Sequence, residues 1–330
     1  MIKATADGET RSRPRLLLTR RLPPSVEARA GQDYDAHPST EDRPLYRDAL
    51  VRVAEGMDAI LACAADRLPA EVIMELPESV RIIATFSVGT DHIHLDAAKR
   101  RGIVVTNTPD VLTDATADIA LLLMLGAARR ASEGDRMIRE NAWSGWTPTQ
   151  MLGIQVTGKR LGILGMGRIG QAVAQRARAF GMCIHYSNRN RLPAALEQGA
   201  VFHADPETML PYCDFLSLHC PLTPETFHWL DARRIALLPD QPVVMNTARG
   251  AVVDDEALIE ALRNGRVAAA GLDVFDNEPN LHPDYRTLSN TFLLPHLGSA
   301  TMETRDAMGF RALDNLDAFF SGREPGDRVA

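Results

Sequence analysis

Three side chains that could carry out acid–base chemistry follow β-rich runs in the C-terminal half of the chain. Arg249 follows VVMNTA, Glu278 lies in GLDVFDNEP, and His296 follows FLLP. A histidine can donate a proton near neutral pH, and a neighbouring carboxylate favours its charged form. A guanidinium offers a planar set of donors that matches a carboxylate. Because the carboxyl ends of parallel strands form the ligand crevice of open α/β sheets, we expect these three side chains to converge there.

A glycine-rich turn stands upstream of these residues. Gly165, Gly167 and Gly170 form G-x-G-x-x-G in GILGMGRIGQ, after an apolar run and at the start of a helical pattern. In this context the first glycine makes the tight turn, the second lets the backbone approach a pyrophosphate, and the third lets the helix pack on the strand. Amides at the helix N-terminus then face the phosphates. The turn therefore predicts a dinucleotide-binding unit.

The stretch HYSNRNRLP (185–193) indicates which dinucleotide is bound. About 20 residues beyond the first glycine, an NAD-binding unit of this kind offers an Asp or Glu to the ribose hydroxyls. This chain has Ser187, Asn188, Arg189 and Arg191 there instead. An acid would repel a 2′-phosphate, whereas guanidinium donors match it. We therefore predict NADP(H) as the preferred cofactor, with NAD(H) as the alternative.

Alternating strand-like and helical segments must position these residues. The first part of the chain has a predicted helix at 46–56 and predicted strands at 15–19, 58–63, 80–87 and 103–107. A long helical stretch follows at 115–140. The second part has predicted strands at 160–165, 182–187, 214–219, 242–247, 268–274 and 291–295, then a helix at 304–322. This alternation predicts an α/β fold of two Rossmann-like, doubly wound parallel-sheet domains. The last residues, 323–330, are expected to be loose.

Composition narrows the function classes. The 330 residues suit two domains, and a formal net charge of −7 argues against a nucleic-acid partner. The four cysteines show neither CxxC nor zinc spacing, so we predict no metal site and a reducing compartment. The longest apolar run, 119–128, is too short to span a membrane. Because the start, 1–15, lacks the apolar segment of a signal peptide, we expect a cytoplasmic protein.

Seven motifs, in this order, resemble those of the D-isomer-specific 2-hydroxyacid dehydrogenases, and in particular the glyoxylate/hydroxypyruvate reductases. They are SVGTDHI, NTPDVLTDATAD, LGILGMGRIG, HCPLTPET, NTARG, GLDVFDNEP and PHLGSAT. The resemblance covers nearly all of the chain from about residue 40 onward. It implies a discontinuous substrate domain, 1–113 plus 300–330, and a dinucleotide-binding domain, 114–299. It also implies an active site in the cleft between the two domains.

The resemblance implies a role for each site residue. Arg249 would bind the substrate carboxylate and carbonyl oxygen, His296 would protonate that oxygen, and Glu278 would orient the imidazole. Backbone amides of Ser87, Val88 and Gly89 would bind the carboxylate. Asp273 would bind the nicotinamide carboxamide. The full set expected to bind the cofactor is Gly165, Gly167, Arg168, Ile169, Gly170, Ser187, Asn188, Arg189, Arg191, His219, Cys220, Pro221, Thr226, Thr247, Ala248, Asp273, His296 and Gly298.

Two tryptophans stand in a segment of weak periodicity between the predicted domains. Trp143 and Trp146 lie in ENAWSGWTPTQMLG (140–153). Large aromatic side chains in a segment without a core of its own need a surface on which to be buried. One interpretation is that both are buried on the chain's own interdomain surface. The family resemblance implies instead an arm that embraces a second subunit in a two-fold homodimer, with Trp146 near the partner's substrate pocket.

We therefore predict NADPH-dependent reduction of a small 2-oxo acid, glyoxylate or hydroxypyruvate, to the 2-hydroxy acid. One alternative is another D-2-hydroxyacid dehydrogenase, either with broad 2-oxo acid specificity or of the phosphoglycerate type. A second alternative is a cofactor-sensing binding protein of the corepressor type. Formate dehydrogenase, of similar fold, is disfavoured because it carries Gln where this chain has Glu278 and because formate has no carbonyl to protonate. No nucleic-acid or membrane partner is expected.

Overall fold

Two sheets of parallel strands organise the chain, whose computed structural model describes residues 13–39, 42–45 and 47–330. One unit spans Met1–Val111 and Met302–Ala330, and the other spans Leu112–Thr301. The polar N-terminal residues 1–12, and Tyr46 at the start of the predicted helix 46–56, lie outside the described residues. Both units alternate strands with helices, which confirms the predicted fold class.

The first unit contains a five-stranded parallel sheet. Its strands are β1 (Arg15–Leu18), β2 (Asp35–Pro38), β3 (Ala59–Cys63), β4 (Ile82–Phe86) and β5 (Val104–Thr106), in the order β2-β1-β3-β4-β5. Its helices are α1 (Pro24–Asp33), α2 (Arg47–Val53), α3 (Ala70–Glu75), α4 (Leu95–Arg101) and the C-terminal helix Met302–Phe320. Successive strand residues are buried on opposite faces, because Leu16 packs with Leu313 of the C-terminal helix whereas Leu17 packs with Val72 of α3.

The second unit contains a seven-stranded parallel sheet. Its strands are β6 (Arg160–Leu164), β7 (Cys183–Ser187), β8 (Val201–Phe202), β9 (Phe215–Leu218), β10 (Val243–Asn246), β11 (Ala269–Leu272) and β12 (Thr291–Leu293). They are arranged in the order β12-β11-β10-β9-β6-β7-β8. The strand order therefore reverses between β6 and β9. Ligands of open α/β sheets bind at such a switch point, outside the carboxyl ends of the strands.

The helices of the second unit depart from the prediction at one place. They are α5 (Thr113–Ala128), α6 (Ala131–Arg139), α7 (Arg168–Ala179), α8 (Ala194–Glu197), α9 (Pro206–Met209), α10 (Ala232–Ile235) and α11 (Asp255–Arg263). The single helix predicted over 115–140 is wrong, because Arg130 has a φ of 55° and this left-handed residue separates α5 from α6. Within the described residues, none of the helices is long and apolar enough to cross a bilayer.

The expectation that the C-terminal residues are loose is also wrong. The Val329 amide donates to the Val105 carbonyl oxygen at 2.8 Å, and the Val105 amide donates to Ala330 at 3.1 Å. The Asn107 amide donates to the Asp327 carbonyl oxygen at 3.2 Å, and Ala330 is buried. The last residues thus cover the edge strand β5, whose backbone groups would otherwise lack partners.

Candidate active site

His296 and Glu278 form a hydrogen-bonded pair in the second unit, on the loops that follow β12 and β11. The Nδ1 atom of His296 lies 2.7 Å from Oε2 of Glu278. The other carboxylate oxygen of Glu278 accepts a hydrogen bond from the Phe275 amide at 2.8 Å. Since Nδ1 faces the carboxylate, Nε2 is the ring nitrogen available to exchange a proton with a substrate.

The surroundings keep Glu278 ionised. Burial on its own raises the pKa of Glu278, but the hydrogen bond and charge of His296 outweigh this effect. The Phe275 amide and the charge of Arg249 act in the same direction, so the pKa of Glu278 lies below its ordinary value. Near neutral pH the group is therefore a carboxylate, which accepts a hydrogen bond from Nδ1 of His296 and fixes the orientation of the ring.

Asp273 holds the backbone that carries His296, a role that sequence reasoning missed. Its buried carboxylate accepts hydrogen bonds from the amides of Leu297 at 2.6 Å and Gly298 at 2.8 Å. Its carbonyl oxygen accepts one from the His296 amide at 2.8 Å. His296 has a φ of 55°, in the left-handed region that is unfavourable for a residue with a side chain. The hydrogen bonds to Asp273 hold this conformation, while the predicted contact of Asp273 with a carboxamide stays a prediction.

Arg249 is placed by the end of β10. The side chain of the buried Asn246 donates a hydrogen bond to the Arg249 carbonyl oxygen at 2.9 Å. The next residue, Gly250, lies against the loop that carries Glu278, because a Cβ atom on Gly250 would lie 1.8 Å from the carbonyl carbon of Phe275. The loops of Arg249 and Glu278 are therefore in direct contact. The structure thus brings together the three segments predicted to carry the chemistry.

The glycine turn after β6 fits a bound dinucleotide. Gly165 has a φ of 92°, and a Cβ atom there would lie 2.6 Å from the Cys220 amide nitrogen, so a glycine is required. A Cβ atom on Gly170 would lie 2.5 Å from the Gly165 carbonyl oxygen, which accounts for the third glycine by close packing. Gly167, in contrast, has open space at its Cβ position. No side chain of the described residues caps α7, so its first amides are available to a phosphate.

The segment after β9 contributes a neutral histidine. In His219, Nε2 lies 2.7 Å from Ser217 Oγ and Nδ1 lies 3.2 Å from Thr247 Oγ1. Burial lowers the pKa of His219 to about 4, so the ring is uncharged near neutral pH. Thr226 closes the following turn by donating to the Pro221 carbonyl oxygen at 2.7 Å. Further predicted cofactor residues lie at element ends of the same unit: Arg168 and Ile169 at the start of α7, Ser187 at the end of β7, Ala248 after β10 and Gly298 after β12.

At the end of β7 the structure separates two arginines that the sequence grouped together. Arg191 forms a two-point ion pair with Glu197, at 2.8 and 3.1 Å. Arg189 is exposed and takes part in no hydrogen bond or close ion pair within the part of the chain that the structure describes. The Thr223 side chain and, less strongly, the charge of Arg189 lower the pKa of Glu225. The Asn188 side chain accepts from the Met166 amide at 2.6 Å and donates to its carbonyl oxygen at 3.3 Å. Asn188 therefore fastens this loop to the glycine turn, and its predicted contact with the cofactor stays a prediction.

The loop predicted to bind the substrate carboxylate, 87–89, follows β4 in the first unit. Ser87 Oγ donates to the Gly89 carbonyl oxygen at 2.7 Å, and the Asn107 side chain donates to the Val88 carbonyl oxygen at 2.8 Å. Both hydrogen bonds use carbonyl oxygens of the loop as acceptors and fix its conformation. The predicted role of its backbone amides in carboxylate binding stays a prediction.

The segment 140–153 exposes apolar side chains. Trp146 is 79% exposed and Trp143 is 52% exposed. Ile138 on α6 and Leu152 are exposed as well. The interpretation that both tryptophans pack on the chain's own surface does not agree with this exposure. Their role as an arm on a second subunit stays a prediction.

Comparison with known proteins adds an independent line of evidence. Residues 121–298 match the model of the family described as D-isomer specific 2-hydroxyacid dehydrogenase, NAD binding domain. The chain is 44% identical over 315 residues to the glycerate dehydrogenase of Hyphomicrobium methylovorum, a match that covers 95% of this chain and 98% of that protein. It is 42% identical over 321 residues to the glyoxylate reductase of Thermococcus litoralis, with 96% and 97% covered. The structure of the NADPH-dependent glyoxylate/hydroxypyruvate reductase of Sinorhizobium meliloti, in complex with NADP and malonate, is similar with a TM-score of 0.88 and 35% identity, covering 97% of each chain.

Proposed function

This chain belongs to the D-isomer-specific 2-hydroxyacid dehydrogenases, which are NAD(P)-dependent enzymes, and we propose that it reduces glyoxylate or hydroxypyruvate with NADPH as the preferred cofactor. The observation that carries the proposal is the 2.7 Å contact between His296 and Glu278, on a loop that touches the loop of Arg249. The named activities of the relatives support these substrates, because oxidation of glycerate at C2 gives hydroxypyruvate.

The residues of this site have complementary roles in the reduction. When bound, the reduced nicotinamide supplies the hydride that C2 of the 2-oxo acid accepts. Arg249 binds the substrate carboxylate and carbonyl oxygen, and its positive charge polarises the carbonyl bond. The imidazolium of His296 gives its Nε2 proton to that oxygen, so that hydride and proton together convert the carbonyl to a hydroxyl. Glu278 holds Nδ1 by a hydrogen bond and so fixes the orientation of the ring while Nε2 gives up its proton.

The cofactor preference rests on the end of β7. Nothing acidic stands at 187–191, and Arg189 offers a guanidinium that forms no hydrogen bond or close ion pair with a carboxylate of the described residues. The Glu225 carboxylate interacts with it only through its charge. A guanidinium matches a phosphate with several donors and favours its negative charge. The Sinorhizobium meliloti reductase, which is NADPH-dependent, supports the same preference at 35% identity.

Initial rates with four 2-oxo acids test the proposal. Glyoxylate, hydroxypyruvate, pyruvate and phenylpyruvate are each assayed with NADPH and with NADH. We expect the highest kcat/KM for glyoxylate or hydroxypyruvate with NADPH. A higher value for pyruvate or phenylpyruvate would indicate a dehydrogenase of broader specificity. Tight cofactor binding without turnover of any substrate would favour the corepressor-type alternative.

We also propose a homodimer in which the segment 140–153 forms the arm. Trp146 and Trp143 supply exposed aromatic surface, and aromatic residues dominate the energy of many interfaces. In a two-fold dimer each subunit gives and receives the same arm. Sedimentation velocity at micromolar concentration tests this assembly, and a monomer there would contradict it.

A further inference from the structure

Glu197 is a buried carboxylate to which none of the roles above applies. It ends α8 and is 6% exposed. Its Oε1 atom accepts a hydrogen bond from the Tyr186 hydroxyl at 2.6 Å, and its two oxygens accept Nε and Nη2 of Arg191 at 2.8 and 3.1 Å. The Tyr186 oxygen in turn accepts the Leu192 amide at 3.0 Å. One carboxylate therefore joins β7, the loop after it and α8.

This arrangement changes the charge that the loop presents. The guanidinium of Arg191 donates two hydrogen bonds to the Glu197 carboxylate and lies 5.9 Å from the centre of the Phe202 ring. Hydrogen bonds from Arg191 and Tyr186 lower the pKa of Glu197, so the pair consists of two opposite charges near neutral pH. Arg189, two residues earlier, forms no such hydrogen-bonded ion pair among the described residues, and the Glu225 carboxylate interacts with it only through its charge. The loop thus carries one guanidinium that no hydrogen-bonded carboxylate of the described residues neutralises.

We propose that Glu197 is a specificity-determining residue for the cofactor, because it neutralises Arg191 and leaves Arg189 to distinguish NADPH from NADH. This inference rests on the proposed preference for NADPH. It assigns different roles to two arginines that the sequence treats alike. Arg189 binds the 2′-phosphate, whereas Arg191 braces the loop through Glu197 and Tyr186.

Calorimetric titration of the full-length protein with 2′,5′-ADP and with 5′-AMP tests the inference without any need for activity. These ligands are the adenosine halves of NADPH and NADH. In Glu197→Gln, Arg191 loses its negative partner, and we expect the affinity for 2′,5′-ADP to rise about threefold to tenfold, the effect of one nearby charge in a partly exposed site. The affinity for 5′-AMP should stay within about twofold, because a ligand with less charge responds less.

A double-mutant cycle separates neutralisation from direct binding. Arg191→Leu leaves the Glu197 carboxylate unpaired and should weaken 2′,5′-ADP binding. The double variant Arg191→Leu/Glu197→Gln removes both charges and should return that affinity to within about twofold of the wild type, since Arg189 remains. If the double variant binds 2′,5′-ADP as weakly as Arg191→Leu does, Arg191 itself binds the phosphate and the inference is overturned.

Tyr186→Phe is the matched control for loop support. It removes the hydroxyl that holds Glu197 and Leu192 but changes no charge, so the ratio of the two affinities should persist while Tm falls. If Glu197→Gln weakens both ligands equally, Glu197 is only a structural support and the inference is overturned. A wild-type protein that binds 2′,5′-ADP and 5′-AMP equally contradicts the proposed NADPH preference itself, so the two failures are distinguishable.

Discussion

The loop that carries His296 and the loop that carries Arg189 differ in how firmly the protein holds their functional side chains. The ring of His296 is hydrogen-bonded to the Glu278 carboxylate, and the backbone amide of His296 is hydrogen-bonded to the Asp273 carbonyl oxygen. Arg189 forms no hydrogen bond or close ion pair within the described residues and interacts with Glu225 only through its charge, whereas the neighbouring Arg191 is paired with a buried carboxylate. The protein's own hydrogen bonds therefore fix the His296 side chain before a substrate binds, whereas the Arg189 guanidinium has no hydrogen bond among the described residues that fixes it.

This difference corresponds to two kinds of task. Proton transfer requires a donor whose position is fixed before the reaction, because reorganising it at that moment would add to the barrier. Recognition of a phosphate needs an available cation, and a guanidinium that is already paired contributes less to binding. We therefore expect substitutions near His296 to change the rate of the reaction, and substitutions near Arg189 to change the choice of cofactor.

The largest effect is expected from removal of the proton donor. His296→Ala should lower kcat by about 10² to 10⁴, the usual contribution of a positioned general acid. The dissociation constant for NADPH should change far less than kcat, because His296 is one of many residues expected to bind the cofactor but is the only proton donor proposed for the substrate. Steady-state kinetics and fluorescence titration of NADPH measure the two quantities.

His282→Ala is the matched control for this variant. His282 also lies beside a glutamate, because its Nε2 atom is 3.1 Å from Oε1 of Glu256. It caps the 3₁₀ helix Pro283–Arg286, which precedes β12 and lies outside the proposed site. Its removal should leave kcat within about twofold, as for surface substitutions away from a site. Equal losses of kcat in both variants would mean that His296 acts only through the stability of the unit.

The three central residues could be predicted because each follows a strand, and the carboxyl ends of parallel strands share one edge. Asn246 and Asp273 were missed as positioning residues, although both are polar residues in buried apolar runs, VVMN and GLDV. A buried polar side chain must find a hydrogen-bond partner, so such residues signal a fixed loop nearby. The pair of Arg191 and Glu197 could not be predicted, because it depends on how α8 folds back onto β7.

The elements show the same division between what the sequence predicts and what it leaves open. All of the predicted strands are present and slightly shorter than predicted, because buried apolar runs identify interior strands. The strands β2 and β8 were missed, since both lie at sheet edges and are largely accessible to solvent. The helix break at Arg130 could not be predicted, because Arg130 and its immediate neighbours are neither Gly nor Pro, which usually mark the end of a helix.

The next largest effect concerns the cofactor. Arg189→Ala should raise the KM for NADPH about tenfold to hundredfold, the loss of a hydrogen bond between charged groups. The KM for NADH should change by less than about twofold, because no phosphate stands on its ribose. Arg100→Ala, an exposed arginine at the end of α4, is the control for loss of one positive charge. Equal changes for both cofactors would contradict the assignment of Arg189.

A smaller effect is expected from Glu278→Gln, in the pH profile of reduction. The pKa of Glu278 lies below its ordinary value because the hydrogen bond and charge of His296 outweigh the effect of burial. The carboxylate that orients His296 is therefore lost only in the acid range, and kcat/KM should decline there as Glu278 is protonated. The amide of Glu278→Gln does not titrate, so kcat/KM of this variant should lack the acid decline.

Glu256→Gln, which alters the partner of His282, is the matched control and should leave the profile unchanged. The same profile in Glu278→Gln and in the wild type would assign Glu278 a structural role only. A wild-type acid decline above the ordinary titration range of a glutamate would contradict the lowered pKa of Glu278.

The smallest effect is expected from Trp146→Ala in the arm, segment 140–153. This segment is a third region for the comparison, because its tryptophan side chains are exposed on the single chain. At 79% exposure, Trp146 has little packing to lose within its own chain, so Trp146→Ala should leave Tm nearly unchanged. If the side chain reaches the partner's substrate pocket, the KM for 2-oxo acids should rise about twofold to fivefold while sedimentation still shows a dimer, as for a peripheral interface contact. Trp143→Ala, in the same segment, is the control, because it shows whether the loss of another aromatic side chain there also raises the KM for 2-oxo acids. If Trp146→Ala alters only the sedimentation, Trp146 is an interface anchor without a role at the substrate. The arm would then resemble neither loop, because its partner would be another copy of the protein and not a ligand.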